Sequence, residues 1–302
     1  MLQLLPAAAL ILFALGAPLR NADVAPAPIL GRPPGYGPMA VTDVPNAAGL
    51  RPRIWVPGLD DGFDPQGLAF AGADLFVSGY RSDSAKMHRG PCRIYRIDPA
   101  AGRETGHVEV PPPCGHAGGL ASDSEGTLYV ADTHSLFLVT IGRAFDGEAA
   151  SIRPLILGAD LKGALAASGR GEIWIGSYEE NRPGKILRFA AAGLRSLPAG
   201  STVTADMATA SFQIPTYAQG AAFDADGRLW VARSELAWGY LERLDLAGRH
   251  DGARYAVAGG IEGLAIDPDG RLWAVSEAGS HHLTLWYPFF PLIFGIDTTR
   301  IR

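Results

Sequence analysis

Five times along the chain the same alternation of apolar and polar positions returns. Each unit opens on a variable residue and a glycine, runs through a short apolar stretch, turns at Gly or Asp, and continues as a second, alternating run. The units read QGLAFAGADLFVSG from Gln66, GGLASDSEGTLYVAD from Gly118, KGALAASGRGEIWIGS from Lys162, QGAAFDADGRLWVAR from Gln219 and EGLAIDPDGRLWAVS from Glu262. A period of two puts Leu229 and Val231 on one face and Trp230 and Ala232 on the other, the pattern of a half-buried strand. The shared glycines Gly67, Gly119, Gly163, Gly220 and Gly263 recur at spacings of 52, 44, 57 and 43 residues. Self-similar β units of this length predict an all-β propeller.

A third strand follows in every unit: CRIYRID, SLFLVTI, KILRFA, YLERLD and LIFGID. An outer fourth strand follows in four of them, as GHVEV, SIRPLIL, ASFQI and RYAVAG. The last unit lacks one because the sequence stops at Arg302, and the unclaimed RPRIWVPG over 51–58 can supply it. Closure of that kind leaves no open sheet edge. The expectation is a single domain over 50–302 with five blades; a sixth stays open if the preceding linker or the 57-residue spacing hides a degenerate one.

Two stretches invite other readings. Asp224-Ala-Asp226-Gly227 has the start of a calcium loop but lacks the third acidic ligand and the distant Glu. Asp267-Pro-Asp269-Gly270 occupies the same point of the next unit, so both are expected to be hairpin turns. The apolar tail LTLWYPFFPLIFGID resembles a membrane hook, but Pro288 and Pro291 forbid a helix and its end matches the other third strands.

Ahead of the repeats, residues 1–16 are nearly all apolar, with Ala14 and Gly16 at the −3 and −1 positions of a plausible cleavage. They read as a signal peptide, although no Lys or Arg precedes the apolar core; an uncleaved anchor or a misplaced start codon are the other readings. Residues 17–49 form a Pro/Gly-rich linker that need not fold. A secreted or periplasmic location follows, with no transmembrane segment in the mature chain. The two cysteines, Cys92 and Cys114, are expected to pair in an oxidising compartment, or else to be buried thiols. A net charge of −5 without a run of like charges offers no footprint for nucleic acid and none for a membrane surface.

In a propeller the innermost strands line a central channel, so the residue before each shared glycine marks its mouth. Those positions hold Gln66, Gly118, Lys162, Gln219 and Glu262, a polar set suited to a small-molecule ligand. His116 leans over the same mouth, and the second-strand ends add Asp132, His134, Tyr178, Arg233 and Glu277. A Glu or His here can act as general base, and Lys162 or Arg233 can stabilise negative charge. His281-His282 and His134 lack the HxH or HExxH spacing of a metal site.

HAGGLASDSEGTLYVADTHS and QGAAFDADGRLWVA resemble repeats of the SMP-30/gluconolactonase/strictosidine-synthase-like propellers. That resemblance implies a lactone or ester hydrolase with a channel metal, usually calcium. Of its three ligand positions this chain keeps an acid at Glu262, while Gly118 and Gln219 replace the other two. A calcium or other divalent ion is therefore expected to lose most of its charged oxygens. The opening FDPQGLAF is also similar to that of five-bladed glutaminyl cyclotransferases, whose acid in the following strand is replaced here by Val77 and Ser78. Two functions remain: an exported enzyme with Glu262, His116 and Lys162 at its centre, acting on a small ester, lactone or peptide end (the last as a glutaminyl-cyclotransferase-like enzyme would), or a non-catalytic propeller that binds a small molecule, glycan or protein.

Overall fold

A computed structural model describes residues 28–38, 40–82, 90–148, 151–235, 237–284 and 287–302. The signal-peptide expectation and the first part of the linker lie outside the described residues.

The chain forms five antiparallel sheets, each sequence unit contributing one blade. Blade I comprises Phe63–Ala71, Asp74–Arg81, Cys92–Asp98 and Arg103–Val110 from the channel outward. Blade II comprises Gly119–Ser122, Thr127–Asp132, Ser135–Thr140 and Ile152–Leu157, with Thr202–Val203 added in parallel at its rim. Blade III comprises Leu165–Gly169, Glu172–Gly176, Gly184–Ala190 and Ala210–Ile214. Blade IV comprises Ala218–Phe223, Leu229–Glu235, Trp238–Leu244 and His250–Val257. Blade V has Ile261–Ile266, Leu272–Ser276 and Leu292–Ile296, and the N-terminal Leu50–Trp55 is its outer strand. Ile54 pairs with Ile293 and Arg53 with Phe294, so the chain's two ends close the ring as expected.

Apolar side chains facing across neighbouring blades form five clusters among the described residues, one per blade-to-blade contact. Tyr129 of blade II meets Ile173 and Phe189 of blade III in one of them. Burial of such surface, worth about 25 cal/mol per Å², holds each blade against its neighbours.

The Asp-Gly stretches are turns. Asp224 and Asp267 each accept a backbone N–H from the residue four positions on, Arg228 at 2.9 Å and Arg271 at 2.8 Å. Their second carboxylate oxygens take the indole N–H of Trp230 at 3.2 Å and Trp273 at 2.8 Å. Asp123 of blade II repeats the device with Thr127 and the Tyr129 hydroxyl. Gly227 and Gly270 close these turns at φ of +78° and +82°, a conformation that favours glycine.

From residue 28 the linker lies on the outside of the closing blade. Leu30 bridges Ile54, the Thr42 N–H donates to the Phe289 carbonyl at 2.8 Å, and Val44 is buried. Pro-rich sequence does not of itself bury surface, but Ile29, Tyr36 and Val44 supply apolar anchors. Among the described residues no helix is long and apolar enough to cross a membrane. Cys92 and Cys114 form a disulfide, tying the third strand of blade I to the segment that enters blade II.

Candidate functional site at the channel mouth

Three of the marked positions sit where a strand breaks register. The pairing of blade I skips between Pro65 and Gly67, that of blade IV between Ala218 and Gly220, and that of blade V between Ile261 and Leu264. Gln66, Gln219 and Glu262 fall in these interruptions. A bulge leaves its residue unpaired and re-aims the side chain, and all three side chains line one cavity of about 590 Å³. The glycines that follow explain the close approach of neighbouring blades. A Cβ on Gly220 would lie 2.2 Å from the Glu262 carbonyl, and one on Gly263 would lie 2.5 Å from the Leu68 nitrogen.

Blade III corrects the sequence register. Its two-residue turn at Arg170-Gly171 pairs Ala167 with Trp174, whereas Ala222 pairs with Trp230 and Ala265 with Trp273. The slot held by glycine elsewhere is therefore Leu165, not Gly163, and the residue before it is Ala164. Leu165 fits because Gly176 stands opposite it; a Cβ there would come 2.7 Å from a Leu165 methyl. Lys162 reaches the mouth from the preceding loop, and its ammonium lies 3.4 Å from Glu179 Oε1.

His116, His134 and Tyr178 line the same cavity, together with Thr133, Ala164, Glu180 and Glu277. Every blade thus contributes. Two predicted residues stand outside it. Asp132 is buried, and one of its carboxylate oxygens accepts the backbone N–H groups of Gly115, His116 and Ala117 at 3.2, 2.6 and 2.9 Å. It shapes the loop that carries His116. Arg233 donates to Glu242 Oε1 at 2.6 Å and to the Thr216 carbonyl at 2.7 Å, so its guanidinium braces the approach to Gln219.

The floor of the mouth is acidic and buried. Glu262 is 3 % exposed and Glu277 7 %. Burial pushes the Glu262 carboxyl well above the usual carboxylate range, and the Glu277 charge adds to it. Glu277 is pushed up to about 7, by burial first and then by the nearby Asp64; the hydrogen bond from Gln66 and the charge of His282 pull the other way. Gln66 Nε2 donates to Glu277 Oε2 at 2.7 Å.

Behind this floor lies a polar pair that the sequence reading missed. Asp64 is fully buried, and His282 Nδ1 stands 2.5 Å from its Oδ2. Desolvation alone would lower the imidazole's pKa; the bond and charge of Asp64, with Glu277, outweigh it and raise the value. The buried Tyr80 ring lies between, 6.0 Å from His282 and 5.8 Å from His116. Asp64 sits two residues before Gln66 in FDPQGL, a visible signal. His282 was legible only as half of a histidine pair, because the 3-10 turn at His281–Leu283 that orients it has no apolar period.

Calcium takes six to eight oxygen ligands. Among the described residues, the one group of three His, Cys, Asp or Glu donor atoms within 4.8 Å of one another is Cys92, Cys114 and Asp132. Its sulfurs are joined in the disulfide. Among the described residues no such group includes Glu262 or Glu277, so the residues present do not fit the channel metal that the resemblance implies.

No family model matches the chain, and no curated protein sequence matches it. Solved structures do. A glutaminyl cyclase from Myxococcus xanthus is 12% identical with a TM-score of 0.50, over 82% of this chain and 94% of that one. An aldose sugar dehydrogenase from Streptomyces coelicolor, solved with PQQ, is 18% identical with a TM-score of 0.47, over 88% and 99%. Regucalcin from Agrobacterium tumefaciens, a calcium-binding protein, is 18% identical with a TM-score of 0.45, over 82% and 94%. The class is thus a five-bladed β-propeller. At 12% identity the likeness to the glutaminyl cyclase is one of fold alone.

Proposed function

We propose that this exported propeller binds a small ester or lactone at the channel mouth and hydrolyses it with Glu277 as general base. The observation that carries the reading is the pair of buried carboxyls under a cavity fed by every blade, one of them poised near 7. A base works best when its pKa lies near the operating pH. Ionised Glu277 takes a proton from water as the water oxygen bonds to the ligand carbonyl carbon. The ring or ester C–O bond then breaks, and the departing alkoxide recovers that proton. Glu262, whose carboxyl burial pushes toward the protonated form, donates a hydrogen bond to the carbonyl oxygen as charge develops there, with the Lys162 ammonium adding to the field. His116, Gln219, His134 and Tyr178 orient the ligand.

The test is a panel of lactones and aryl esters with the purified mature chain. Turnover that rises with pH through about 7, and falls by roughly 100-fold or more in Glu277→Gln, supports the reading. Wild-type rates in Glu277→Gln would remove that residue from the mechanism. A second reading, non-catalytic capture of a small ligand, is favoured by the Gln66 bond that already occupies Glu277 Oε2. Compounds that raise the melting temperature without being cleaved would select it. Export is supported by the disulfide, and cell fractionation tests it.

A further inference from the structure

At the edge of the mouth nearest blades III and IV, three rings stand at successive right angles. Tyr178 and Tyr217 have centroids 6.1 Å apart and an interplanar angle of 82°. Tyr217 and Trp238 are 5.4 Å apart at 78°. All three are partly exposed. Such a succession forms a corner of aromatic faces rather than a stacked core. Its central member is held against its own preference: Tyr217 has φ +59°, costly for a bulky residue. Its N–H donates to the Glu179 carbonyl at 2.9 Å, and its carbonyl accepts from Ser234 at 3.2 Å. Backbone strain kept in place by surrounding bonds recurs where a surface recognises a ligand.

The corner is edged by negative charge. The Tyr178 hydroxyl donates to Glu180 Oε1 at 3.4 Å, and Glu235 is the cross-strand partner of Trp238. Nearby cations are engaged elsewhere: Lys162 and Arg182 pair with Glu179, and Arg233 with Glu242. Among the described residues no lysine or arginine pairs with Glu180 or Glu235. The outer end of the same aromatic row shows what it accepts. Trp238 continues to Tyr240 at 5.6 Å, and the Arg254 guanidinium lies 5.2 Å from the Tyr240 centroid.

We propose that Tyr178, Tyr217 and Trp238, with Glu180 and Glu235, form a subsite for the ammonium group of a small cationic ligand whose remainder enters the channel mouth. Ring faces attract a cation through their quadrupoles, and the carboxylates add charge that no described lysine or arginine neutralises by pairing. A neutral sugar also stacks on aromatic faces, but it gains nothing from the two acids. The inference deepens the mouth reading and rests on it for the ligand's remainder only.

Titration calorimetry with choline, and with its uncharged isostere 3,3-dimethylbutan-1-ol, separates charge from shape. Choline is expected to bind at least about tenfold more tightly than the isostere. Trp238→Leu should abolish that preference, and Glu180→Gln/Glu235→Gln, on the exposed surface, should reduce it several-fold with folding intact. Equal binding of the two compounds, no choline binding at tens of millimolar, or an unchanged preference in both variants overturns the subsite. Cleavage of lactones without choline preference would leave the proposed hydrolysis standing and this inference fallen. Choline preference with every lactone inert would do the reverse.

Discussion

Gln66 Nε2 donates to Glu277 Oε2 across 2.7 Å, joining the innermost strand of the first blade to the end of the second strand of the last. The bond crosses the seam where the ring closes, so ring closure and the state of the buried acid are read by one contact. Asp64 and His282 flank the same seam.

Stability should therefore fall as pH rises from about 4.5 to about 7. Glu277 titrates near 4.5 when unfolded and at about 7 when folded, so through that window the folded chain holds a proton that the unfolded chain has lost. An acid with a raised folded pKa is favourable below its unfolded value and loses that benefit through its folded one. At about 1.4 kcal/mol per pKa unit the loss is roughly 3 kcal/mol. Glu262 and His282, both raised, act in the same direction. Denaturant unfolding across this range checks it: Glu277→Gln should flatten the slope, and an unchanged slope would refute the assignment.

A single methyl group should break the blade IV–V contact. Gly220→Ala would put a Cβ 2.2 Å from the Glu262 carbonyl, a backbone atom that cannot swing aside. The cost expected is that of a severe overpacking, about 3 kcal/mol or more. Gly227→Ala is limited to the penalty of its positive φ, about 1 kcal/mol. Equal losses in thermal unfolding would mean the blades can spread.

Much of this architecture was legible because propeller blades repeat. A glycine, an apolar run, a turn containing Gly and an alternating second run return in all five sequence units, and the spare strand at 51–58 had one place to go. The mouth was legible only in part. Gln66, Gln219 and Glu262 were visible as the residues preceding the glycines, but the bulges that aim them were not. Blade III was misregistered because its shorter turn moves the glycine to the facing strand, as Gly176, and puts Leu165 in the slot. Asp132 and Arg233 carry suitable chemistry at suitable strand ends, yet local backbone groups and Glu242 claim them. Hydrogen-bond partners of that kind depend on loop paths that no periodicity encodes.

Loss of the disulfide should loosen the His116 loop as well as the fold. Cys92 and Cys114 are separated by 22 residues, and closing a loop of that size stabilises by about 3 kcal/mol on chain-entropy grounds. Cys92→Ala/Cys114→Ala is expected to melt several degrees lower. Amide exchange should quicken over 114–118, where Asp132 holds three N–H groups. A lower melting point with unchanged exchange there would show that Asp132 alone keeps the loop.

The Asp-Gly turns and the channel give one joint prediction about calcium. Asp224 Oδ1 accepts the Arg228 N–H and its Oδ2 the Trp230 indole, so its oxygens are committed to the turn. Asp224→Ala should cost about 1–2 kcal/mol, as the loss of hydrogen bonds to a charged acceptor does. Asp226→Ala, at an exposed turn position, should stay within about 0.5 kcal/mol. Millimolar calcium should leave the melting temperature of the wild type and of both variants unmoved, since binding to the native state would raise it. A calcium-dependent rise abolished by Asp226→Ala would identify a metal loop in place of a turn. A rise abolished instead by Glu262→Gln would restore a channel metal and with it the chemistry implied by the SMP-30-like resemblance.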